Sequence, residues 1–320
     1  MKAIVQDGYG SPDVLRLKDI DRPRVGDGDV LVRVHAAALN AGDYFIMRGV
    51  PVLIRMTMGL RRPRDSRVAG WDVAGLVEAV GSAVTRVRPG DEVFGACGQT
   101  GGAFAEYACL PANRLAPKPA NLNFEQAAAV PVAGCTALRG LRDAGRLRAG
   151  QKVLINGASG GVGTFAVQIA KALGADVTGV CSTRNVDLVR SIGADHVVDY
   201  TQEDFTRSGP RYDLILDNVG SRSFSDYRRA LAPQGTLVPN TGHAGMSYVI
   251  KAFVLSAFVR QQERPFVADT NTEDLVLLKD LVEAGKVTPV IDRTYPLSET
   301  PEAVGYVGLG HARGKVVITV

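Results

Sequence analysis

Two rhythms divide the chain. Up to about residue 120, short apolar runs such as Val30–His35 and Gly75–Val80 are β-rich and are broken by Gly, Pro and Asp clusters. Gly26-Asp27-Gly28-Asp29 and Pro89-Gly90-Asp91 are the plainest of these turn signals, so the pattern predicts mostly strands. Pro111, Pro117 and Pro119 punctuate a predicted linker. After it, Asn123 is placed to cap a helix that Ala127 to Ala129 favour intrinsically.

From about residue 150 the rhythm becomes strand–helix–strand. Lys152 to Asn156 reads as a short buried strand, and Thr164 to Leu173 carries apolar residues at helical spacing and stops at Gly174. Val177 to Cys181 is the next strand, Val186 to Ile192 a helix ending at Gly193, and His196 to Asp199 a strand again. Leu214 to Asp217 and Gly235 to Val238 continue the alternation, which predicts a parallel sheet with helices on both faces. Gly314 to Val320 reads as a last strand, expected to pack on the N-terminal part.

Bulk composition narrows this only a little. At 320 residues the expectation is about two domains. Lysine and arginine number 37 against 33 acids, a mild excess that suits a mixed surface and not a nucleic-acid binder. Cys97, Cys109, Cys135 and Cys181 form no C-x-x-C pair, so neither a redox pair nor a zinc knuckle is suggested. Met1 to Gly10 lacks the apolar run of a signal peptide, and Ala252 to Val259 is far too short to span a bilayer. A cytoplasmic protein without stable membrane insertion is the expectation.

The sharpest chemical signal is Asn156-Gly157-Ala158-Ser159-Gly160-Gly161-Val162-Gly163, between a predicted strand and a predicted helix. Glycine there permits a tight turn and close approach of backbone to a pyrophosphate, which the helix N-terminus then attracts. Ala158 takes the first glycine place, so the strict G-x-G-x-x-G pattern is not met. About 20 residues on, where NAD sites carry an acid for the ribose 2′-hydroxyl, the chain reads Cys181-Ser182-Thr183-Arg184. A hydroxyl at Ser182 and a planar cation at Arg184 suit a 2′-phosphate, which predicts NADP(H).

With these residues placed, the chain resembles the zinc-lacking, quinone oxidoreductase-like branch of the medium-chain dehydrogenase/reductase superfamily. The resemblance runs through Tyr9-Gly10-Ser11-Pro12, Asn40–Asp43, Gly70-Trp71-Asp72-Val73-Ala74-Gly75, Gly102-Ala103-Phe104-Ala105-Glu106-Tyr107, the glycine turn, and Gly314-Lys315-Val316-Val317. It implies an α/β protein with a GroES-like β-barrel catalytic domain over 1–120, completed by 285–320. A Rossmann doubly wound domain that binds NADP(H) is implied over 121–284, with the active site in the cleft between them.

Zinc-dependent relatives carry metal ligands where this chain has Asn40, Trp71 and Val132. A catalytic zinc needs three N or S ligands, so no metal is expected. The resemblance places Asn40 and Thr136 beside the nicotinamide and gives Asp43 the ordering of the active-site segment. It sets Tyr200 at the adenosine portion, Asn218 near the nicotinamide, and Lys315 at a cofactor contact. Tyr44 is the best-placed proton donor, with an aromatic pocket wall as the equal alternative, and water also able to supply the proton. Leu53 to Arg67 and Met246 to Val267 read as pocket walls or lids, or as a solvated loop and a partly buried helix.

The function expected is hydride transfer from NADPH to a quinone or α,β-unsaturated carbonyl, chemistry that needs no Lewis acid. The alternatives are an NADPH-binding sensor or structural protein with little turnover, or an NADP-dependent alcohol dehydrogenase-like enzyme. The resemblance also implies a homodimer joined through Rossmann sheet edges, with Pro239 set to limit pairing beyond Gly235–Val238.

Overall fold

A computed structural model describes residues 1–50, 52, 55–56, 59–63, 67–98, 101–207, 209–240, 261–266 and 269–320. The chain divides into two compact units: Met1–Cys135 with Asp269–Gly285 and Pro289–Val320, and Thr136–Ala268 with Lys286–Thr288.

The first unit begins with β1 (Lys2–Gln6), β2 (Leu15–Asp19), β3 (Asp29–Leu39) and β4 (Arg67–Val68). β5 (Asp72–Val80), β6 (Glu92–Ala96), β7 (Tyr107–Pro111) and β8 (Leu115–Pro117) follow. Its organising element is the eleven-residue β3. One edge of β3 takes β5 along almost its whole length, with register shifts between Leu31 and Val32 and between Val34 and Ala36. Such bulges bend a strand. Its other edge takes β7 over Asp29–Arg33 and the C-terminal strand over Ala36–Leu39. Ile4, Val32, Val73, Leu110 and Ile318 fill the interior. Pro117 closes β8, which pairs with β6, so the stretch expected as a plain linker contains a strand. Asn123 caps the helix Phe124–Ala128 as expected: its side chain accepts from the Gln126 N–H at 2.8 Å.

The second unit carries β9 (Lys152–Asn156), β10 (Asp176–Cys181), β11 (His196–Asp199), β12 (Tyr212–Asp217), β13 (Leu231–Pro239) and β14 (Gln262–Glu263). All pair in parallel in the order β11-β10-β9-β12-β13-β14. That is a doubly wound sheet, and the order reverses at β9. Residues Val153 to Ile155 of β9 are wholly buried, as is nearly all of the helix Gly161–Ala172 from Gly163 to Ala170. An apolar run buried on both faces is what a central parallel strand requires.

The chain then returns to the first unit through the helix Thr272–Glu283, β15 (Ile291–Pro296), the helix Thr300–Gly308 and β16 (Lys315–Thr319). The Thr272 hydroxyl donates to the Leu115 carbonyl at 2.8 Å, and Asn121 donates to the Val282 carbonyl at 2.9 Å. These bonds draw the helix Thr272–Glu283 to the first unit, whereas the sequence division assigns 121–284 to the cofactor domain. Gly235–Val238 also lies inside β13, which β14 covers, so among the described residues the outer strand on that side is β14 and not β13.

On that outer strand, Glu263 Oε2 is buried and has no hydrogen-bond partner among the described residues. Burial pushes its carboxyl up to about 7. The folded state therefore binds this proton more tightly than the unfolded state does. The stability tied to it is complete below the ordinary value of 4.5 and is lost as pH rises through about 7. Thermal melts should show the wild-type midpoint falling between pH 5 and pH 8, and Glu263→Gln should fall less over that span.

Candidate functional site

Three strand ends meet at one point of the first unit. β16 and β5 flank β3 on opposite sides, and their registers set Val316 against Leu39 and Asp72 against Ala38. Asn40, the next residue after β3, therefore falls between Lys315 and Asp72. Lys315 Nζ donates to Asn40 Oδ1 at 2.6 Å and to Asp72 Oδ2 at 3.1 Å. Asn40 Nδ2 donates to the same Asp72 oxygen at 3.0 Å, and the Val132 N–H donates to Asp72 Oδ1 at 3.0 Å. Both ends of the Asn40 amide are thus fixed, one by a cation and one by a carboxylate.

The pair is deep: the Lys315 and Asp72 side chains are 3% and 0% exposed. Burial drives the Asp72 carboxyl upward, and Lys315, Asn40 and the Val132 N–H pull against that without cancelling it. Asp43 works on the backbone next door. As the third residue of the helix Ala41–Arg48 it accepts from the Asn40 N–H at 2.8 Å, which fixes where the helix starts. Trp71 lies against the same helix: a Cβ on Gly42 would stand 2.5 Å from the indole ring, so only glycine fits there. Asp72 was not singled out from the sequence, although an acid heading the apolar run Val73–Val77 was the available signal.

Tyr44 is not part of this cluster. Its ring lies against Gly308, where a Cβ would come within 2.2 Å, and its hydroxyl accepts from Arg48 Nη1 at 3.0 Å. His35 stacks on Phe124 with ring centroids 4.4 Å apart. Most of Met246 to Val267, with His243, lies outside the described residues, as does much of Leu53 to Arg67.

In the second unit β9 ends at Asn156 and the chain turns at Gly157 into the helix Gly161–Ala172, which Gly160 caps. A Cβ on Gly163 would sit 2.0 Å from the Gly157 carbonyl oxygen, so this turn can close only over glycine. Ala158 faces inward, fully buried, and its N–H donates to the Val180 carbonyl at 3.0 Å. The Thr164 N–H makes the first helical bond, to Gly160, and helix geometry leaves the N–H groups of Gly161, Val162 and Gly163 without one.

Asn185, another residue the sequence did not mark, ties this turn to the end of β10. Its amide donates to Ser159 Oγ at 3.0 Å and to Ser182 Oγ at 3.4 Å. Its own carbonyl oxygen is buried with no partner among the described residues. Arg184 and Tyr200 stand exposed beyond β10 and β11, and Thr136 is buried on the helix Pro131–Arg139. Asn218 donates to the Asn156 carbonyl at 3.1 Å and accepts from Asn240 at 2.8 Å. The turn, the open first-turn amides and the orphaned Asn185 oxygen together fit a bound dinucleotide. A hollow of about 550 Å³ lined by Arg146, Arg148, Asp213 and Arg264 lies at the opposite, amino ends of the strands. It is therefore remote from the turn.

Residues 26–120 match the family described as alcohol dehydrogenase GroES-like domain, and residues 192–318 match the one described as zinc-binding dehydrogenase. A 2-methylene-furan-3-one reductase of Solanum lycopersicum is 37% identical over 99% of this chain and 79% of its own. A chloroplastic NADPH-dependent alkenal/one oxidoreductase of Arabidopsis thaliana is 34% identical over 99% of this chain and 79% of its own. Among solved structures, a quinone oxidoreductase from Coxiella burnetii is 33% identical and superposes with a TM-score of 0.89, covering 100% of this chain and 99% of that one.

The buried cluster makes a direct stability forecast. Lys315→Met would leave the Asp72 carboxylate buried and unpaired, and should cost about 3–5 kcal/mol. Adding Asp72→Asn should recover part of that loss. Urea unfolding of the two variants against wild type measures both effects, and a loss below about 1 kcal/mol for Lys315→Met would contradict the pairing.

Proposed function

We infer that the chain, which belongs to the medium-chain dehydrogenase/reductase superfamily in its quinone oxidoreductase-like branch, works as an NADP(H) oxidoreductase. On that premise we propose that it reduces quinones or α,β-unsaturated carbonyls with NADPH and without zinc. The observation that carries the proposal is the state of Asn40. At the position where zinc-dependent relatives hold a ligand, its amide is clamped between Lys315 and Asp72. Trp71 and Val132 stand at the other two ligand positions, and neither an indole nor an isopropyl group binds zinc.

NADPH, when bound, supplies the hydride. The chain's part is to hold and orient. We assign the pyrophosphate to the open amides of Gly161, Val162 and Gly163, with Ser159, Gly160 and the inward-facing Ala158 shaping the turn. Ser182 and Arg184 are assigned to the 2′-phosphate, where hydroxyl and guanidinium donors suit a dianion. Tyr200 is assigned to the adenosine portion. Thr136 and Asn218 of the second unit are assigned to the nicotinamide end. In the first unit Asp43, Asp72 and Lys315 keep Asn40, which the resemblance also sets at the nicotinamide, in one orientation. An unactivated alcohol must lose a proton as hydride leaves, which calls for a metal or a positioned base. A quinone or enone takes hydride at carbon, and its developing oxyanion needs donors and a late proton. The packing of Tyr44 against Gly308 supports the pocket-wall role, so we assign the late proton to solvent.

The names of the relatives support the substrate class. Their chloroplastic and other addresses do not carry over, and a cytoplasmic location stays part of the proposal. So does a homodimer, for which β14 is the outer strand among the described residues.

A substrate panel tests the reaction class. Quinones and enones should be turned over with NADPH far faster than simple alcohols are oxidised with NADP⁺, and Tyr44→Phe should keep kcat within about threefold, below the effect of a general acid. Efficient alcohol oxidation with quinones and enones inert would overturn the class. For the cofactor, Arg184→Ala should weaken NADPH by about 1–3 kcal/mol, the range of hydrogen bonds to charged groups, and barely change NADH. Equal losses for both cofactors, read by fluorescence titration, would remove Arg184 from the 2′-phosphate.

A further inference from the structure

Dinucleotide sites of this architecture choose between NAD and NADP beyond the end of the second strand, where an acid accepts from the ribose 2′-hydroxyl or a cation meets the 2′-phosphate. Ser182, Thr183, Arg184 and Asn185, which follow β10, include no acid. The neighbouring strand brings one. β11 pairs in parallel with β10 and sets Asp199 against Cys181, the residue just before Ser182.

The Asp199 carboxylate is held in a specific way. Thr183 donates its hydroxyl to Oδ2 at 2.6 Å, while Thr201 donates its hydroxyl to Oδ1 at 2.7 Å and its N–H to the same oxygen at 3.0 Å. The two threonine hydroxyls are themselves 2.9 Å apart. The Thr183 hydrogen bond, above all, holds this carboxyl below the ordinary range, so it is ionised at neutral pH. Its charge is felt on the next strand, where the Cys181 thiol is pushed up to about 11 by burial and, after that, by Asp199. A full negative charge therefore stands one hydrogen bond from Thr183, the residue between Ser182 and Arg184.

An unscreened carboxylate there would do two things. It would repel the 2′-phosphate that the proposed function assigns to Ser182 and Arg184, and it would offer an acceptor to the bare 2′-hydroxyl of NADH. A hydroxyl already donates to each oxygen, and an N–H to one of them. This spreads the charge over three donors and weakens the carboxylate both as a repellent of the phosphate and as an acceptor for a ribose hydroxyl.

We propose that Asp199 is a cofactor-specificity residue of the NAD type kept out of play by Thr183 and Thr201, and that this masking sustains the preference for NADPH. The inference deepens the cofactor part of the proposed function and rests on it.

The test uses the full chain and the double variant Thr183→Val with Thr201→Val. Both positions are exposed, where substitutions rarely unfold a protein. Dissociation constants for NADPH and NADH, read from nicotinamide fluorescence, give a preference ratio for each protein. The double variant should lose preference for NADPH by about tenfold, as weaker NADPH and tighter NADH, the scale of one hydrogen bond to a charged group. Adding Asp199→Asn should restore the wild-type ratio or exceed it.

A double variant within about twofold of wild type would overturn the masking, as that lies below the effect of one such bond. So would a lowered ratio that Asp199→Asn does not restore, which would mean that the threonines touch the phosphate themselves. A wild type with no preference for NADPH would instead overturn the assignment of Ser182 and Arg184. The masking would still be decided by whether the double variant shifts the ratio toward NADH and Asp199→Asn reverses it.

Discussion

A carboxylate taken wholly out of water must recover its lost hydration from donors close at hand, or it does not stay charged. Asp72 recovers part of it from a lysine, an amide and a backbone N–H, drawn from three separate stretches of chain, while burial still holds its carboxyl above the ordinary range. Much of the first unit follows from it. β16 must run alongside the end of β3 for Lys315 to arrive, and the bulges that bend β3 let β7 and β16 share one of its edges. Asn40 acquires a single orientation because its neighbours leave it no other. A swap of its amide oxygen and nitrogen would set a donor against the ammonium and an acceptor against the carboxylate.

The second unit uses lighter means. Its sheet is ordinary apolar packing, and the carboxyl ends of β9 and β10 are tied by a buried amide, Asn185, that spans from the glycine turn to the end of β10. The bond to Ser159 is short, the bond to Ser182 longer, and the amide oxygen is left over. Such a tie sets the spacing of the two loops while leaving capacity for a partner that is not part of the protein.

Features with a local cause were legible in the sequence. β9 and β11 lie at the residues expected, because a buried run bounded by turn residues marks its own ends. The Asn123 cap could be read for the same reason, since donor and acceptor are three residues apart. What escaped was non-local. Asp72 looks like a turn acid until β16 delivers Lys315, and Asp199 looks remote from Ser182 until parallel pairing sets two strand ends side by side. Proline at Pro117 suggested a linker, yet proline is compatible with the last residue of a short outer strand such as β8. The helix Thr272–Glu283 was assigned by position along the chain, while its hydrogen bonds to Leu115 and Asn121 are what give it its home.

The bond between Lys315 and Asn40 spans 275 positions of sequence. On the ribosome, Asn40 and Asp72 emerge early, and every residue of β9 to β14 is made before the lysine that they await. The sheet around β3 therefore cannot close its free edge, nor Asp72 find its counterion, until β16 is made, whereas the parallel sheet of the second unit has all its strands well before. The nascent protein passes through a stage in which a finished cofactor unit hangs within an unfinished one. Its most vulnerable surface at that stage is the bare half of β3.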